Sequence, residues 1–263
     1  LLDHLHAQGV GVATPVLAAN GAASITLPFP EGPRALVLFR HCDGAVPDTP
    51  EELHLTGATL AQIHRAAQSY ACPASRYVLD GHHLAGRTLG YLAAHPELDP
   101  AVLDAYRQLI ERLLSELAEV EGTLTRVMCH GDTHGFNNHV TTDADGVQRA
   151  AFFDFDDAGP GFLTYDLCVW LWSNLPRKAP MEPDDALLKR WQQYLAGYRA
   201  GGGHVTDADL AALQLFLQLR HLWNMGEGVA RIHHWGANMM SADWIKKQLD
   251  VMAAWARLEL PRS

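Results

Sequence analysis

Lysine is nearly missing from this chain. Only Lys178, Lys189, Lys246 and Lys247 occur, so the first 177 residues carry none, and arginine supplies the rest of the 20 positive side chains. Set against 30 acidic residues, they leave a formal charge of −10. A protein that grips DNA or RNA neutralises phosphates with clustered cations, and these are neither numerous nor clustered. Cysteine is scarce as well. Cys42, Cys72, Cys129 and Cys168 stand far apart with no Cys-x-x-Cys pair, which argues against a disulfide framework and a zinc site and fits a reducing cytoplasm. No apolar run approaches the roughly 18 to 20 residues of a membrane helix, and Leu1 to His6 lacks the basic start of a signal peptide. Gly-x-Ser-x-Gly and His-Glu-x-x-His are absent, Gly201-Gly202-Gly203 has no Gly-Lys-Ser/Thr sequel, and Gly9-Val10-Gly11 does not open a helix. The commonest serine hydrolases and zinc proteases are thereby removed, and neither glycine run reads as a nucleotide-binding loop.

What is present has two textures within a length of 263 residues, enough for one large domain or two ordinary ones. Apolar residues at helical spacing place Leu1 to His6 inside an amphipathic helix that Gly9 caps, so sequence upstream of Leu1 is expected. Short β-prone pieces follow. Asn20-Gly21, between Val16-Leu17 and Ile25-Thr26-Leu27, predicts a hairpin, and the continuously apolar Ala35 to Phe39 predicts a strand buried on both faces. Arg40 to Pro47 reads as a connector. Helices then dominate: Thr49, Pro50 and Glu52 form a capping box, and Asp99-Pro100 opens a helix running to about Val120. Val127 to Cys129, His139 to Thr141 and Ala150 to Phe153 interrupt as strands, the last two flanking an Asp-Ala-Asp-Gly turn at 143–146. Helices return over 166–174, 184–199, 207–226 and 242–258. The fold class is α+β, with a small β-containing lobe over 1–43, a large mainly helical lobe over 44–263 and a cleft at their join.

The polar residues concentrate around the second hairpin. His130-Gly131-Asp132-Thr133-His134-Gly135-Phe136-Asn137-Asn138 enters it, and Phe153-Asp154-Phe155-Asp156-Asp157 leaves it. Because a hairpin returns its chain to where it began, Asp132, Asn137 and Asp154 are expected to converge, placing a carboxylate beside two oxygen donors suited to a hard cation. Such a set is what phosphoryl transfer requires. Alone, Asp132 would read as a turn aspartate, Asn137 and Asn138 as loop residues satisfying backbone groups, and Asp166 as a helix N-cap. The ordered set outweighs those readings for Asp132, Asn137 and Asp154. His130, His134 and His139 have the wrong spacing for zinc. His82-His83 and His233-His234 read as surface or cap residues, and the seven tryptophans as core.

His-Gly-Asp-x-x-x-x-Asn followed by an apolar strand ending in Asp-x-Asp-Asp resembles the aminoglycoside phosphotransferase superfamily, kinase-fold enzymes that phosphorylate hydroxyls. Gly57 to Arg65 (Gly-x-x-Leu-Ala-x-Ile-His-Arg) and Tyr165-Asp166-Leu167 extend the resemblance over most of 10–175, and the tail, with Arg220 and Trp223, is similar to bacterial stress-response kinases. The resemblance implies a two-lobed kinase-like fold using ATP and Mg²⁺. It makes Asp132 the catalytic base, Asn137 and Asp154 the metal ligands and the Arg40-His41-Cys42 backbone the adenine contact. Asp166 would brace the loop and Asp156 assist the metal. Phe136-Asn137-Asn138 replaces the more usual Gly-Asn-Ile, so either asparagine is available, with the five-residue spacing favouring Asn137. The expected activity is transfer of phosphate to a small-molecule hydroxyl. A stress-response-type Ser/Thr protein kinase acting on a protein substrate and a non-catalytic kinase-like binding module are the alternatives. Asp184, Asp185 and Glu227 lean toward a cationic acceptor. The resemblance also demands a phosphate-binding lysine and a glycine-bearing turn, expected within about 50 to 80 residues upstream.

Overall fold

The computed structural model describes residues 1–30, 32–236 and 240–261. In chain order its elements are α1 (Leu2–Ala7), β1 (Ile25–Phe29), β2 (Gly32–Leu36), α2 (Pro50–Ala67), α3 (Arg87–Ala93), α4 (Pro100–Val120), β3 (Arg126–Cys129), β4 (Asn138–Thr142) and β5 (Gln148–Phe152). Then come β6 (Gly159–Phe162), α5 (Leu163–Asn174), α6 (Asp185–Ala200), α7 (Asp207–Ala211), α8 (Leu213–Ala230), α9 (Ile232–Trp235) and α10 (Ala242–Trp255). No helix among the described residues is long and apolar enough to cross a membrane. The chain divides into two compact units that interleave along the sequence. One comprises Leu1–Ala71, Gly135–Asp154 and Gln193–Gly203; the other comprises Cys72–His134, Phe155–Gln192 and the chain from His204 onward. The first unit runs on through α2 to Ala71, because α2 and the β4–β5 hairpin pack with the N-terminal segment.

In the first unit, α2 begins as its capping box dictates, with Thr49 Oγ1 accepting the Glu52 N–H and the Glu52 carboxylate accepting the Thr49 N–H. The hairpin β4–β5 pairs Asn138 with Phe152 through Thr142 with Gln148. Its outer edges are closed by chain: Ala13 N–H donates to Phe152 O at 2.9 Å, and Ala45 exchanges bonds with Val140 at 3.0 and 2.8 Å. Helix α2 meets the end of α6 backbone to backbone. A Cβ on Gly57 would lie 2.0 Å from Tyr194 O, and one on Gly197 would lie 1.8 Å from His54 O, so glycine is required at both. His64 and the Tyr198 hydroxyl close the same contact at 2.8 Å.

Two β expectations need correction. Asn20-Gly21 does turn the chain, with Gly21 N–H donating to Ala18 O, but it joins no hairpin between the segments expected. Ile25 to Leu27 pairs instead with Arg34 to Leu36 in the β1–β2 ribbon, while Val16 bonds to Leu38 and Arg40 to Thr14. Nor is Ala35 to Phe39 buried: Leu38 is 66% exposed and Leu36 53%. β1 and β2 pair only with each other, and neither face of the ribbon is covered among the described residues. An apolar run reports a preference for burial, not the presence of a layer to bury against.

The second unit is built around α5. Ten consecutive residues, Leu163 to Trp172, are buried, which marks a helix enclosed on all sides. It packs on α8, and α4 and α10 complete the bundle. β3 pairs with β6 in antiparallel register, Cys129 opposite Gly159, a pairing that the short Gly-Pro-Gly-Phe strand did not announce. Trp170, Trp172, Trp191, Trp223 and Trp255 are core as expected, Trp244 is half-buried, and the side chain of Trp235 lies outside the described residues. His83 departs from its surface reading. A π-helical turn over His82–Gly86 carries it inward, where it stacks on Tyr77 at 4.2 Å and accepts the Trp223 indole N–H at 3.2 Å.

Gly197→Ala should lower the unfolding free energy by about 1 to 3 kcal/mol through overpacking. By contrast, Gly90→Ala in α3, with open space around the added methyl, should raise it by about 0.4 to 1 kcal/mol; urea denaturation compares the two. His221 supplies a pH test. Burial against Trp172 and Trp255 lowers its pKa to about 4, the hydrogen bond to Gln248 opposing this only in part, so between pH 6.5 and about 4 the unfolded chain binds a proton that the folded one refuses. Stability should therefore fall as pH drops through that window, by about 1.4 kcal/mol per pH unit at most for this histidine, and His221→Gln should flatten the slope.

Candidate active site

The His130–His134 loop leaves β3 in the second unit and is held from beneath by one carboxylate. Asp166, with no exposed surface, accepts the His130 N–H at 2.6 Å through Oδ2 and the Gly131 N–H at 2.8 Å through Oδ1. It is not the N-cap of α5, which is Phe162; it lies in the first turn and caps the loop instead. Gly131 adopts φ +90°, and a Cβ there would sit 2.2 Å from Asp157 O, so both the conformation and the space demand glycine. Thr133 Oγ1 donates to Asp166 O, His130 Nδ1 accepts the Asp132 N–H at 3.2 Å, and the His130 ring lies 4.2 Å from Phe155. Asp132 emerges from this clamped turn with its side chain 18% exposed.

The Asp132 carboxylate meets a residue to which sequence reasoning gave no role at the site. Arg220 of α8, 2% exposed, donates from Nη2 to Asp132 Oδ1 at 2.6 Å and from Nη1 to the Tyr165 hydroxyl at 2.9 Å and Gly131 O at 3.2 Å. Its guanidinium lies 4.4 Å from the Trp223 ring centre and 4.8 Å from that of Trp172. Burial works against its charge, yet Tyr165 and Asp132 hold its pKa above the usual arginine range. Burial pushes the Tyr165 hydroxyl up, so it stays neutral. His134 Nε2 stands 3.5 Å from Asp132 Oδ2. A signal for Arg220 did exist: it is a lone cation within the apolar face of Leu213 to Val229, and a buried charge requires a partner.

The remaining candidates belong to the first unit. Phe153 N–H donates to Asn137 O at 3.0 Å, extending the hairpin ladder by one step and placing Asn137 and Asp154 side by side at its open end. Asn137 is 5% exposed, whereas Asp154 is exposed and has φ +64°, the one positive φ outside glycine among the described residues. Asn138 is fully buried, and its amide donates to Thr56 Oγ1 at 3.0 Å, which ties it into α2. An amide oxygen beside a carboxylate is a hard pair that suits Mg²⁺, which takes one or two protein oxygens and completes its shell with water and phosphate. Among the described residues no group of three or more His, Cys, Asp or Glu could hold a metal. Asp156 lies in the second unit, its carbonyl accepting from Arg76 and from the Tyr77 hydroxyl.

The Arg40-His41-Cys42 segment is fastened to the same hairpin. Cys42 O bonds to His139 Nδ1 at 2.9 Å and Arg40 N–H donates to Thr14 O at 2.9 Å, while none of the described hydrogen bonds takes the His41 peptide groups. Burial, then Asp43, raises the Cys42 thiol, which is no thiolate nucleophile. The acidic lean toward a cationic acceptor weakens. Glu227 is paired with Arg87 and, at 3.1 Å, with Arg231, and Asp184 caps the Leu187 N–H at 2.8 Å.

The profile of the phosphotransferase enzyme family matches residues 1–204. An uncharacterized protein of Deinococcus radiodurans is 33% identical over 255 residues, which span 97% of this chain and 72% of that protein. Among solved structures, a microcompartment-associated aminopropanol kinase is 25% identical with a TM-score of 0.67, over 97% of this chain and 77% of its own. Amicoumacin kinase, solved in complex with AMP-PNP, Ca²⁺ and Ami, is 22% identical with a TM-score of 0.74, over 98% and 77%, and shows that the fold is shared. The α+β arrangement is the kinase-like one.

Asp166→Ala should lower the unfolding free energy by about 2 to 5 kcal/mol, since it strands two buried N–H groups at once. Equilibrium denaturation reads this directly, and an unchanged midpoint would contradict the clamp.

Proposed function

The chain belongs to the phosphotransferase enzyme family, and on that premise we propose that it transfers the γ-phosphoryl group of ATP, with Mg²⁺, to a hydroxyl of a small-molecule acceptor. The observation that carries this reading is Asp132: a partly exposed carboxylate on a loop whose backbone is clamped by Asp166 and whose side chain is held by Arg220. Phosphoryl transfer asks for positioning and charge placement more than for covalent chemistry, and a fixed carboxylate supplies the first.

In this proposal Asp132 accepts the proton of the acceptor hydroxyl as that oxygen bonds to the γ-phosphorus. The bond from the γ-phosphorus to the oxygen bridging it to the β-phosphate breaks, and ADP leaves with the electron pair. Asn137 and Asp154 are the residues that would hold Mg²⁺, supported by their adjacency and their hard oxygens. When bound, the metal supplies neutralisation of the phosphate oxygens. The His41 peptide groups, flanked by the bonded Arg40 N–H and Cys42 C=O, would face the adenine. Residues 1–43 belong to the nucleotide side in this proposal, and 44–263 carry the base and the acceptor contacts. The 25% identical aminopropanol kinase makes amino alcohols the first acceptors to try.

ADP release should be measured with MgATP across a panel of amino alcohols and other hydroxyl compounds. Asp132→Asn should cut kcat by roughly 10² to 10⁴ without loss of fold. Asp154→Ala should abolish the stabilisation of about 2.7 kcal/mol expected from MgATP at 100 times its Kd. Full turnover in Asp132→Asn would overturn the assignment of the base. Phosphate appearing on added protein, with every metabolite refused, would overturn the small-molecule acceptor.

A further inference from the structure

Arg220 is buried at a cost that packing alone does not require. A guanidinium taken from water needs all its donors satisfied, and replacement of buried ionic groups by well-packed apolar side chains is often neutral or stabilising. Here Nε finds no hydrogen-bond partner among the described residues, so the fork does not engage a carboxylate through both arms. Its satisfied donors all go to one place. Nη1 reaches Gly131 O and Nη2 reaches Asp132 Oδ1, two successive residues of the clamped loop, and the third contact, Tyr165, neighbours the Asp166 that anchors that loop. Trp172 and Trp223 lie within 5 Å of the guanidinium, which restrains its plane.

We propose that Arg220 is a positioning residue: it fixes the rotamer of Asp132, holding Oδ1 so that the carboxylate meets an incoming hydroxyl in one orientation. The inference rests on the assignment of Asp132 as base and concerns what makes that base effective. Arg220 acts through Asp132, touches neither substrate, and influences kcat by geometry. Arginine is required rather than lysine because three acceptors in different directions, Gly131 O, Asp132 Oδ1 and the Tyr165 oxygen, are served by one planar group.

The test pairs Arg220→Met, which keeps the packing volume, with Arg220→Lys, which keeps the charge, each in the wild-type and Asp132→Asn backgrounds. With the acceptor found in the panel above, Arg220→Met should lower kcat by about 10²-fold, the usual cost of a misplaced catalytic group, with KM for ATP and acceptor within about threefold. Arg220→Lys should recover part of the loss. In the Asp132→Asn background, neither change should lower the residual kcat further, because a residue that acts through Asp132 has nothing left to position. A purely structural role would move the melting temperature and leave this pattern absent. Should Arg220→Met fail to fold, Arg220→Lys carries the test, and wild-type kcat in a folded Lys variant overturns the proposal. If Asp132→Asn alone costs nothing, the assignment of the base fails instead. If Asp132→Asn is crippled while Arg220→Met turns over normally, only the positioning role fails.

Discussion

A carboxylate with no exposed surface, accepting two successive backbone N–H groups, is the constraint from which the site follows. Asp166 must find partners or it could not be buried. By taking the N–H groups of His130 and Gly131 it forces the chain to turn just beyond β3. That turn needs a left-handed residue pressed against Asp157 O, hence glycine, and the next residue, Asp132, is delivered outward. The apolar helix α5, enclosed on every side, gives Asp166 a fixed origin. The loop is therefore as rigid as the core beneath it.

The first unit solves a comparable problem with backbone rather than buried charge. Chain from residues 11–13 runs along β5, Ala45 lies along β4, and Asn138 reaches back to Thr56, so the open end of the hairpin has little freedom. Asn137 and Asp154 sit at that end, and Asp154 holds a conformation that costs a non-glycine residue energy, a pattern usual where a side chain is aimed for a purpose. The β1–β2 ribbon has no such support, and Leu36, with Leu38 and Phe39 just beyond it, remains exposed.

Much of this was legible along the chain. Thr49 and Glu52, Asp99 with Pro100, and the Asp143 to Gly146 turn each signal their element within a few residues, and each element starts or turns there. The ordered polar residues of 130–138 and 153–157 pointed to the phosphotransferase family by pattern alone. What misled were residues whose state depends on distant partners. The apolar run of 35–39 is the same string whether or not a layer covers it. His83 looks like a surface histidine until a π-helical turn stacks it on Tyr77, and Asp166 looks like a helix cap until β3 supplies the groups that it caps.

The sequence by itself determined the local signals and the order of the chemistry: helix starts, the hairpin, and the succession of Asp132, Asn137 and Asp154. Only the tertiary structure decided that Asn138 is tied into α2, why glycine stands before Asp132, and that Arg220, 88 residues beyond it, is a buried cation bound to its carboxylate. Capping, turns and periodicity act over a few residues and leave their mark in composition. Burial and pairing of charge act through space, and which two groups meet is settled only when the core between them is packed.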